Sequence, residues 1–556
     1  MKVRLVLSLL LGLFALLTIA DRFALLELLV IRAGVPMLFA LAQAIAIIGI
    51  GCIVRGSRES DPALDFLIGL PMFGALLFLV GLLNVSAWTI WPLIALLGIA
   101  GVVLILAGWK QQPDVPTSSV SLIAVLIVLV CGIVTALAPP TSIGEIANTL
   151  AVPRAWALEG RAIDLPLLAH SYFPLGIESA DVAPIAILGA LQGGVASHLL
   201  HLFAAIAAGL LIYRCTESWF LTAAIVTTPA LAIVAGWSLG DWPVVGLFVA
   251  TFIALEHDDI RTASAATAAG LLASYVFVPF AIVAWILKRR RPHWIALLGL
   301  LFFVRNLILT WNPVAPFFQE GAPAMSGFRT LALADYVFHS DYIPESIGVA
   351  LLALPFFATG AIAIAGALLG LALFFLAPSA RVLVPFLVLP AMTTKHALQK
   401  KLVAALVAIA IVAQTLLVAW FTARSESFSL LTASTSTDAY LRKQSATYAS
   451  VAWLNETLPA NSRTLVIGIG ETYWFTKRVR GGADSDAKRI SNYLDLPAAE
   501  AVRERLRRDG ITHVAILANE KHPPLEASAQ KMLAQTLDHY AASVTTRGNA
   551  TLFTIR

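Results

Sequence analysis

The sequence has few charged residues for its length. Asp, Glu, Lys and Arg make up 13% of its 556 positions, whereas an average soluble protein carries about 25%. Hydrophobic residues make up 59%, so a soluble globular enzyme and a disordered chain are both excluded. The net charge is only +5, which is too balanced to indicate a nucleic-acid partner.

Cysteine is also scarce. Cys52, Cys131 and Cys215 are far apart, lie in or beside apolar runs and form no CxxC pair. This spacing excludes a framework of several disulfides, and we expect the three thiols to be buried. His198 and His201 have the i, i+3 spacing of a shared metal site. No third ligand lies nearby in the sequence, so packing or hydrogen bonding within a helix bundle is favoured.

The charges that are present are unevenly distributed. The last 132 residues hold 29 of the 71 charged residues, and the first 424 residues share the others. This distribution predicts an all-α multi-span membrane domain over 1–424 and a small soluble domain over 425–556.

Long apolar runs predict about 13 membrane-spanning helices, because one span needs about 20 mainly apolar residues. They lie at 4–20, 35–54, 64–84, 88–108, 119–138, 185–213, 218–236, 242–256, 292–309, 342–357, 361–377, 380–393 and 401–421. The stretch 263–288 is predicted to form a hairpin of two short helices, broken near Ser274 or Pro279. Lys and Arg in the short loops mark the cytoplasmic side. The N-terminus is then cytoplasmic, and the loops 139–184 and 310–341 are outside together with residues 425–556.

Helical and strand patterns alternate in residues 425–556. Helices are predicted over 444–457, 497–508 and 525–540, and strands over 463–469, 512–518 and 549–555. This alternation predicts a small α/β layer domain. Gly468-Ile469-Gly470 follows a strand but lacks the third glycine of a dinucleotide-binding loop. A structural or docking role is therefore favoured for this domain.

The first long outer loop contains a group of polar side chains early in its course. Glu145, Asn148 and Thr149 share one face of a helix predicted to begin near Glu145. This pattern fits a helix that lies on the membrane surface, and it fits a plain surface connector equally well.

Two more polar groups are predicted at the outer interface. His170, Tyr172 and Glu178 surround an aromatic-proline turn, where they would either bind a polar ligand or anchor the chain at the interface. Arg305 and Asn306 end a predicted span. An Arg in that place can hold a lipid phosphate because its forked donors match phosphate oxygens, or it can simply extend towards water.

The order of several motifs resembles that of the bacterial GT-C membrane glycosyltransferases. The nearest resemblance is to the dolichyl-phosphate-mannose protein mannosyltransferases and the lipid A aminoarabinose transferases. The matching segments within 120–320 are PPTSIGEIANT (139–149), EGR (159–161), SYFPLGIE (171–178), Thr227-Thr228-Pro229 followed by Asp241, and RNLILTWNPVAPF (305–317). Within 438–518, YLRKQSATYASVAWLNETLP and GITHVAI are similar to the outer domain of such proteins.

The sequence departs from the family pattern at three places. The family's loop Asp aligns with Gly144, one residue before Glu145, and its Tyr-His pair aligns with Asn148-Thr149. A Lys that is usual near the broken helix pair is replaced by Ser274-Tyr275. The departures concern the expected base and its neighbours, so they bear on activity more than on fold.

The resemblance implies a membrane glycosyltransferase of the bacterial inner membrane and cell envelope. Such an enzyme moves a sugar, with inversion, from a polyprenyl-phosphate donor within the membrane lipid to a glycan, lipid or protein acceptor on the outer face. No cofactor is expected, and a divalent metal is compatible with the chemistry but not required. Two other interpretations stay open: a non-catalytic relative that binds lipid-linked glycans, and a lipid or glycan transporter.

The resemblance also implies roles for particular residues. Glu145 is the first candidate for the base that deprotonates the acceptor, and Asp241 is the second. Arg305 is the candidate contact for the donor phosphate. Further substrate contacts are expected from Asn148, His170, Tyr172, Glu178, Asn306 and Asn312.

Overall fold

A computed structural model describes nine segments of the chain. They are residues 33–56, 60–108, 120–318, 347–376, 380–394, 400–432, 434–482, 486–517 and 525–555. The predicted first span at 4–20 and most of the predicted outer loop 310–341 lie outside the described residues.

The described part of the first 424 residues is helical. Its α-helices are α1 (Val35–Arg55), α2 (Pro62–Gly81), α3 (Ala87–Gly108), α4 (Val120–Ala136), α5 (Ala151–Glu159), α6 (Val182–Thr216), α7 (Trp219–Val226), α8 (Pro229–Ala232), α9 (Asp241–Glu256), α10 (Ile260–Ala273), α11 (Phe277–Lys288), α12 (Leu301–Thr310), α13 (Val349–Ala353), α14 (Ala361–Leu376), α15 (Ala380–Met392) and α16 (Lys401–Arg424). Their apolar side chains pack into one large core, which includes Phe73, Phe248 and Phe280.

Five of the described helices are long and apolar enough to cross a membrane, or six if a bent pair counts as one span. The bent pair is Trp219–Val226 with Pro229–Gly236, and its two parts meet at 76°. The sequence predicts a single span over 218–236 here. The helix stops at Thr227-Thr228 because Pro229 disfavours helical backbone in the residue before it. The total of about 13 spans stays a prediction.

The predicted hairpin at 263–288 is confirmed. α10 ends at Ala273, Ser274 has extended backbone, and α11 begins at Phe277. The cysteine prediction is correct for Cys52 and Cys131, which are buried, and wrong for Cys215, which is exposed. Cys215 lies in the last turn of α6, on the exposed side of a turn whose other side is buried at Ile212 and Thr216.

Basic residues that predict the cytoplasmic side meet acidic partners where helices end. The Arg55 Nε lies 2.8 Å from Asp65 Oδ1, and Arg214 Nη1 lies 2.7 Å from Asp61 Oδ1. These pairs join the end of α1 and the end of α6 to the start of α2, so these three helix ends lie together. The side of the membrane on which they lie stays a prediction.

The C-terminal part combines helices with one five-stranded sheet. Its strands are β1 (Arg463–Ile467), β2 (Arg478–Arg480), β3 (His513–Leu517), β4 (Ala541–Arg547) and β5 (Ala550–Ile555), in the order β2-β1-β3-β5-β4. β2, β1 and β3 are parallel, and β3, β5 and β4 are antiparallel. The helices are α17 (Ser427–Leu431), α18 (Thr437–Gln444), α19 (Tyr448–Thr457), α20 (Ala487–Leu494), α21 (Ala499–Arg508) and α22 (Ala527–Tyr540). The predicted α/β layer architecture is confirmed.

The sheet domain is attached to α5 by charged side chains. Glu159, at the end of α5, lies within 2.9 Å of Arg463 and 2.8 Å of Arg480. Arg154 donates two hydrogen bonds to the carbonyl of Phe475, at 3.1 and 2.9 Å. The domain therefore holds the first outer loop in place.

Candidate functional site

The segment that follows α4, which the sequence predicts to be the first outer loop, does not begin with the surface helix that was one expectation. Glu145–Thr149 forms a single π-helical turn, and the regular helix α5 begins only at Ala151. The Glu145 side chain is fully buried, with 0% of its surface exposed. The predicted surface helix and the surface connector are thus both wrong for Glu145. A carboxylate is buried only where it finds donors, because leaving water without them is costly.

Two donors meet one oxygen of the Glu145 carboxylate. Oε1 lies 2.7 Å from Nε2 of His198, which comes from α6, and it accepts a hydrogen bond from the backbone N–H of Ser238 at 2.5 Å. Within the described part of the chain, Oε2 has no hydrogen-bond partner. Three segments that are distant in sequence therefore meet at this carboxylate.

A cavity of about 300 Å³ opens beside this pair. Glu145 and His198 line it, together with Trp237, Phe421 and Arg424. Most of the other lining residues carry a hydroxyl or an amide group: Thr135, Thr141, Ser142, Ser425, Ser427, Tyr440 and Gln444. Aromatic faces combined with many hydroxyl groups and a carboxylate suit a polar ligand such as a sugar.

An apolar groove lies next to this polar cavity. Its lining comes from α4, α6 and α7 and from the segment that leads into α9: Leu122, Val125, Leu126, Val128, Leu129, Leu202, Ala205, Ile206, Gly209, Leu210, Trp219, Thr222, Val226, Ala235 and Trp242. Ala235 lines the groove and Trp237 lines the cavity, and these two residues are only two positions apart in the chain. The two spaces therefore lie close enough for one amphipathic ligand to reach both.

The motif residues 171–178 and 305–317 meet in a second cluster. The Asn306 amide donates to the carbonyl of Tyr172 and, at 2.8 Å, to the hydroxyl of Tyr275. The Tyr275 hydroxyl donates in turn to the carbonyl of Ala315 at 2.7 Å. Arg305 donates to the carbonyl of Ser171 at 2.7 Å. The polar groups of this cluster are engaged with one another and with backbone.

Arg305 itself is enclosed by this cluster. Its side chain is only 9% exposed, and its guanidinium lies 5.7 Å from the ring centres of both Phe78 and Tyr172. The Tyr172 hydroxyl donates to Asp164 at 3.3 Å. Burial and the Asp164 carboxylate raise the pKa of the Tyr172 hydroxyl, so this hydroxyl stays protonated and acts as a donor.

The other predicted site residues are spread over the same region. His170 stacks on Phe173 with ring centres 5.3 Å apart, and its Nε2 lies 3.5 Å from Glu178. Asn312 shapes the turn before Phe317 by accepting from Val314 N–H at 3.0 Å. None of the three predicted residues lines the Glu145 cavity.

Asp241 and Asn148 flank the Glu145 site without lining its cavity. Asp241 begins α9, three residues after Ser238, and Asn148 is half-buried within the π-helical turn. Within the described ranges, no group of three His, Cys, Asp or Glu side chains could hold a metal ion.

His198 is the functional candidate that sequence reasoning missed. The i, i+3 histidines correctly predict hydrogen bonding: His198 bonds to Glu145, and His201 lies 3.3 Å from Asp181 and 2.9 Å from the Leu239 carbonyl. Nothing in the spacing indicates which partner each histidine has, because Glu145 precedes His198 by 53 residues. A histidine inside a predicted span is itself the usable signal, since ionisable groups there usually serve a function.

The sequence matches no family model and no curated protein. Among solved structures, it is similar to the arabinofuranosyltransferase AftD from Mycobacteria, with a TM-score of 0.42 and 13% identity over 80% of this chain; it spans 40% of AftD. It is also similar to ArnT from Cupriavidus metallidurans. For ArnT bound to undecaprenyl phosphate, the TM-score is 0.46 with 14% identity, over 79% of this chain and 98% of that one. For apo ArnT, the TM-score is 0.47 with 12% identity, over 78% of this chain and 97% of that one.

AftD is by name an arabinofuranosyltransferase, and one of the ArnT structures was solved bound to undecaprenyl phosphate. Scores and identities of this size do not place the chain in a family and assign no residue a role.

Proposed function

We propose that this protein transfers a sugar from a polyprenyl-phosphate donor to a hydroxyl group of a glycan, lipid or protein acceptor. In this proposal the reaction takes place at the outer face of the bacterial inner membrane, in the cavity beside Glu145. The observation that carries it is a buried carboxylate, held by an imidazole, in a polar cavity that adjoins an apolar groove.

A lipid-linked sugar makes three physical demands on its enzyme. The isoprenoid tail needs an apolar surface, the phosphate needs a cation, and the acceptor hydroxyl needs a base. The groove along α4 and α6 meets the first demand. Arg424 at the cavity wall suits the second and Glu145 the third.

The proposed phosphate contact differs from the one that the motifs imply. Arg424 ends α16, lines the cavity and lies 5.4 Å from the ring centre of Trp420. Arg305 is predicted from the resemblance, yet its guanidinium already donates to Ser171 and lies between two aromatic rings. We therefore propose Arg424 as the principal phosphate contact and keep Arg305 as the alternative.

Glu145 is proposed as the base because it is the carboxylate that lines this cavity. A base must reach the proton that it removes, and Asp241 does not line the cavity in the described structure. The sheet is proposed to have a structural role, since its part of the chain is bound to Glu159 and Arg154 of α5. The cavity-lining residues that come from 425–556 all precede the sheet: Ser425, Ser427 of α17, and Tyr440 and Gln444 of α18.

The test is a transfer assay in membranes that contain the full-length protein. Tritium-labelled polyprenyl-phosphate hexoses and pentoses are supplied in turn, and label is followed into the acceptor fraction together with release of polyprenyl phosphate. We expect transfer from at least one donor by the wild type. Glu145→Gln should lower turnover about a hundredfold or more with donor binding unchanged, since an amide cannot accept the proton.

The two other interpretations give different results in the same assay. Donor binding without transfer by the wild type would support a non-catalytic lipid-glycan binding protein. Accumulation of label inside vesicles without covalent transfer would support a transporter. Unchanged turnover in Glu145→Gln would remove Glu145 as the base, and Asp241→Asn would then be the next variant to measure.

A further inference from the structure

We infer that His198 is a positioning residue, which together with the Ser238 peptide fixes the Glu145 carboxylate so that only Oε2 receives the acceptor's proton. The inference rests on the proposed function, because it assigns a different role in the transfer step to each oxygen of the Glu145 carboxylate. Oε1 is held by donors, and Oε2 accepts the proton. It adds a residue to which the motifs give no part.

The two hydrogen bonds to Glu145 converge on the same oxygen. His198 Nε2 and the Ser238 N–H are 2.7 and 2.5 Å from Oε1. A neutral imidazole facing a carboxylate oxygen carries its hydrogen on that nitrogen, since two lone pairs would otherwise oppose each other. Oε1 therefore accepts two hydrogen bonds, and Oε2 accepts none from the described residues.

The Ser238 peptide is a fixed donor. The Ser238 carbonyl accepts a hydrogen bond from the Thr149 hydroxyl at 2.8 Å, so the same π-helical turn holds residue Ser238 at both its N–H and its C=O, in two successive peptide groups. Gly236 lets the segment approach α4, because a Cβ there would lie 2.1 Å from the Thr135 hydroxyl and 2.4 Å from the Gly132 carbonyl. The close packing against α4 thus fixes the position of the Ser238 N–H.

His198, the second donor to Oε1, is also held in a fixed position. It is 1% exposed and lies within a continuous helical stretch of α6. Its Nδ1 has no hydrogen-bond partner among the described residues, so its bond to Glu145 is the polar contact that defines the orientation of the ring. Two rigid donors hold Oε1 in place, so the carboxylate group of Glu145 cannot rotate. The direction in which Oε2 points is therefore fixed as well.

In the proposed transfer step, Oε2 is the atom that takes up the proton released by the acceptor. The acceptor oxygen forms a bond to the anomeric carbon of the sugar while the bond from that carbon to the phosphate oxygen breaks. The polyprenyl phosphate leaves with the electron pair of that bond. The acceptor's proton moves to Oε2 of Glu145, and Oε1 keeps both hydrogen bonds throughout, so no donor has to rearrange during the step.

His201 provides a matched comparison on the same helix. It lies one turn further along α6, is 2% exposed and also pairs with a buried carboxylate, that of Asp181. It does not line the Glu145 cavity. If both histidines only stabilise the bundle, their loss should have the same consequences for the protein.

The experiment measures turnover and donor KM for His198→Ala, His198→Gln and His201→Ala, each corrected for the folded fraction. The substrate is the labelled polyprenyl-phosphate sugar that the wild type uses. We expect His198→Ala to lower kcat about ten- to a hundredfold, the loss that a misplaced catalytic group produces, with donor KM within about twofold of wild type. His198→Gln should recover most of this loss, because its amide N–H can replace the Nε2–H. His201→Ala should lower kcat much less than His198→Ala, because His201 contacts Asp181 and the Leu239 carbonyl beside Ser238 but not Glu145.

Each of the other possible results contradicts the inference, and the results can be told apart. Equal kcat for His198→Ala and His201→Ala would overturn it and leave the proposed function standing, and so would a failure of His198→Gln to recover turnover although it folds. A rise in donor KM without a fall in kcat would make His198 a binding residue instead. If the wild type transfers no sugar from any donor, the proposed function fails and the inference falls with it.

Discussion

The two halves of the first outer loop use polar residues in opposite ways. The first half, 139–159, places Glu145 beside a cavity of about 300 Å³ and leaves one carboxylate oxygen without a described partner. The second half, 160–181, places Tyr172 against Arg305, Asn306 and Tyr275, and fills the space between them with hydrogen bonds and aromatic contacts. Both halves carry residues of the glycosyltransferase-like motifs.

The difference shows why a motif residue does not by itself identify a site. A buried polar group that is fully hydrogen-bonded within the protein has little capacity left for a substrate, whereas one with an unmet hydrogen bond beside a cavity has that capacity. The second half, too, has buried side-chain atoms without a described hydrogen-bond partner, in His170, Glu178, Ser179 and Asp181, but none of these residues lines the cavity. With both conditions applied, the first half of the loop carries the chemistry and the second half carries the scaffold. Three predictions test the division.

The largest effect is expected from the two arginines that compete for the donor phosphate. Arg424→Gln should weaken binding of polyprenyl phosphate about ten- to a hundredfold, because a hydrogen bond to a charged group contributes about 1.5–3 kcal/mol. Binding can be followed by tryptophan fluorescence, since Trp237 lines the cavity. Arg305→Gln is the matched variant and should change the affinity little.

The arginine comparison also has an outcome that reverses the assignment. If Arg305→Gln loses donor affinity while its melting temperature is unchanged, the motif-based assignment of Arg305 is right and the second cluster is part of the binding site. We expect instead that Arg305→Gln lowers the melting temperature, because the Ser171 carbonyl loses its donor and two aromatic rings lose a cation.

The sequence predicted the scaffold better than it predicted the site. The break at Ser274, the apolar helices and the α/β pattern after residue 425 follow from local periodicity and turn residues, which act over a few positions. The π-helical turn and the pairing of Glu145 with His198 and Ser238 do not. They join residues 53 and 93 positions apart, and no local pattern encodes such a contact.

The sheet domain shows the same limit on a smaller scale. β1, β3 and β5 were predicted because they are apolar runs between turn signals. β2 has only three residues, and β4 is solvent-exposed at six of its seven positions. An exposed edge strand needs no apolar alternation, so its sequence, AASVTTR, gives no strand signal.

A second prediction concerns the packed half of the loop. Asn306→Leu removes the amide that donates to the Tyr172 carbonyl and the Tyr275 hydroxyl. We expect the free energy of unfolding to fall by about 1–3 kcal/mol, with donor KM and kcat per folded molecule unchanged. Thermal unfolding and the transfer assay measure the two effects separately.

Asn549→Leu is the control for this prediction, because Asn549 is exposed and its replacement should leave stability nearly unchanged. Asn306 was predicted from the motifs as a substrate contact. A higher donor KM in Asn306→Leu without loss of stability would restore that role and would contradict the division of the loop into site and scaffold.

The smallest effect is expected at Tyr440, which lines the cavity and lies 3.3 Å from the Ser427 hydroxyl. Burial raises the pKa of the Tyr440 hydroxyl, so the folded protein holds this proton more tightly than the unfolded chain does. Its contribution to stability is therefore complete below about pH 10, the ordinary pKa of tyrosine, and is lost as the pH rises above that value. Tyr440→Phe should reduce the alkaline loss of stability, to which other buried tyrosines such as Tyr172 also contribute. It should weaken donor binding only two- to tenfold, the equivalent of one neutral hydrogen bond of about 0.5–1.5 kcal/mol. Tyr448→Phe is the control, since Tyr448 lies outside the cavity lining. Equal donor affinities for the two variants would mean that the cavity wall at Tyr440 packs against the protein and does not touch the substrate.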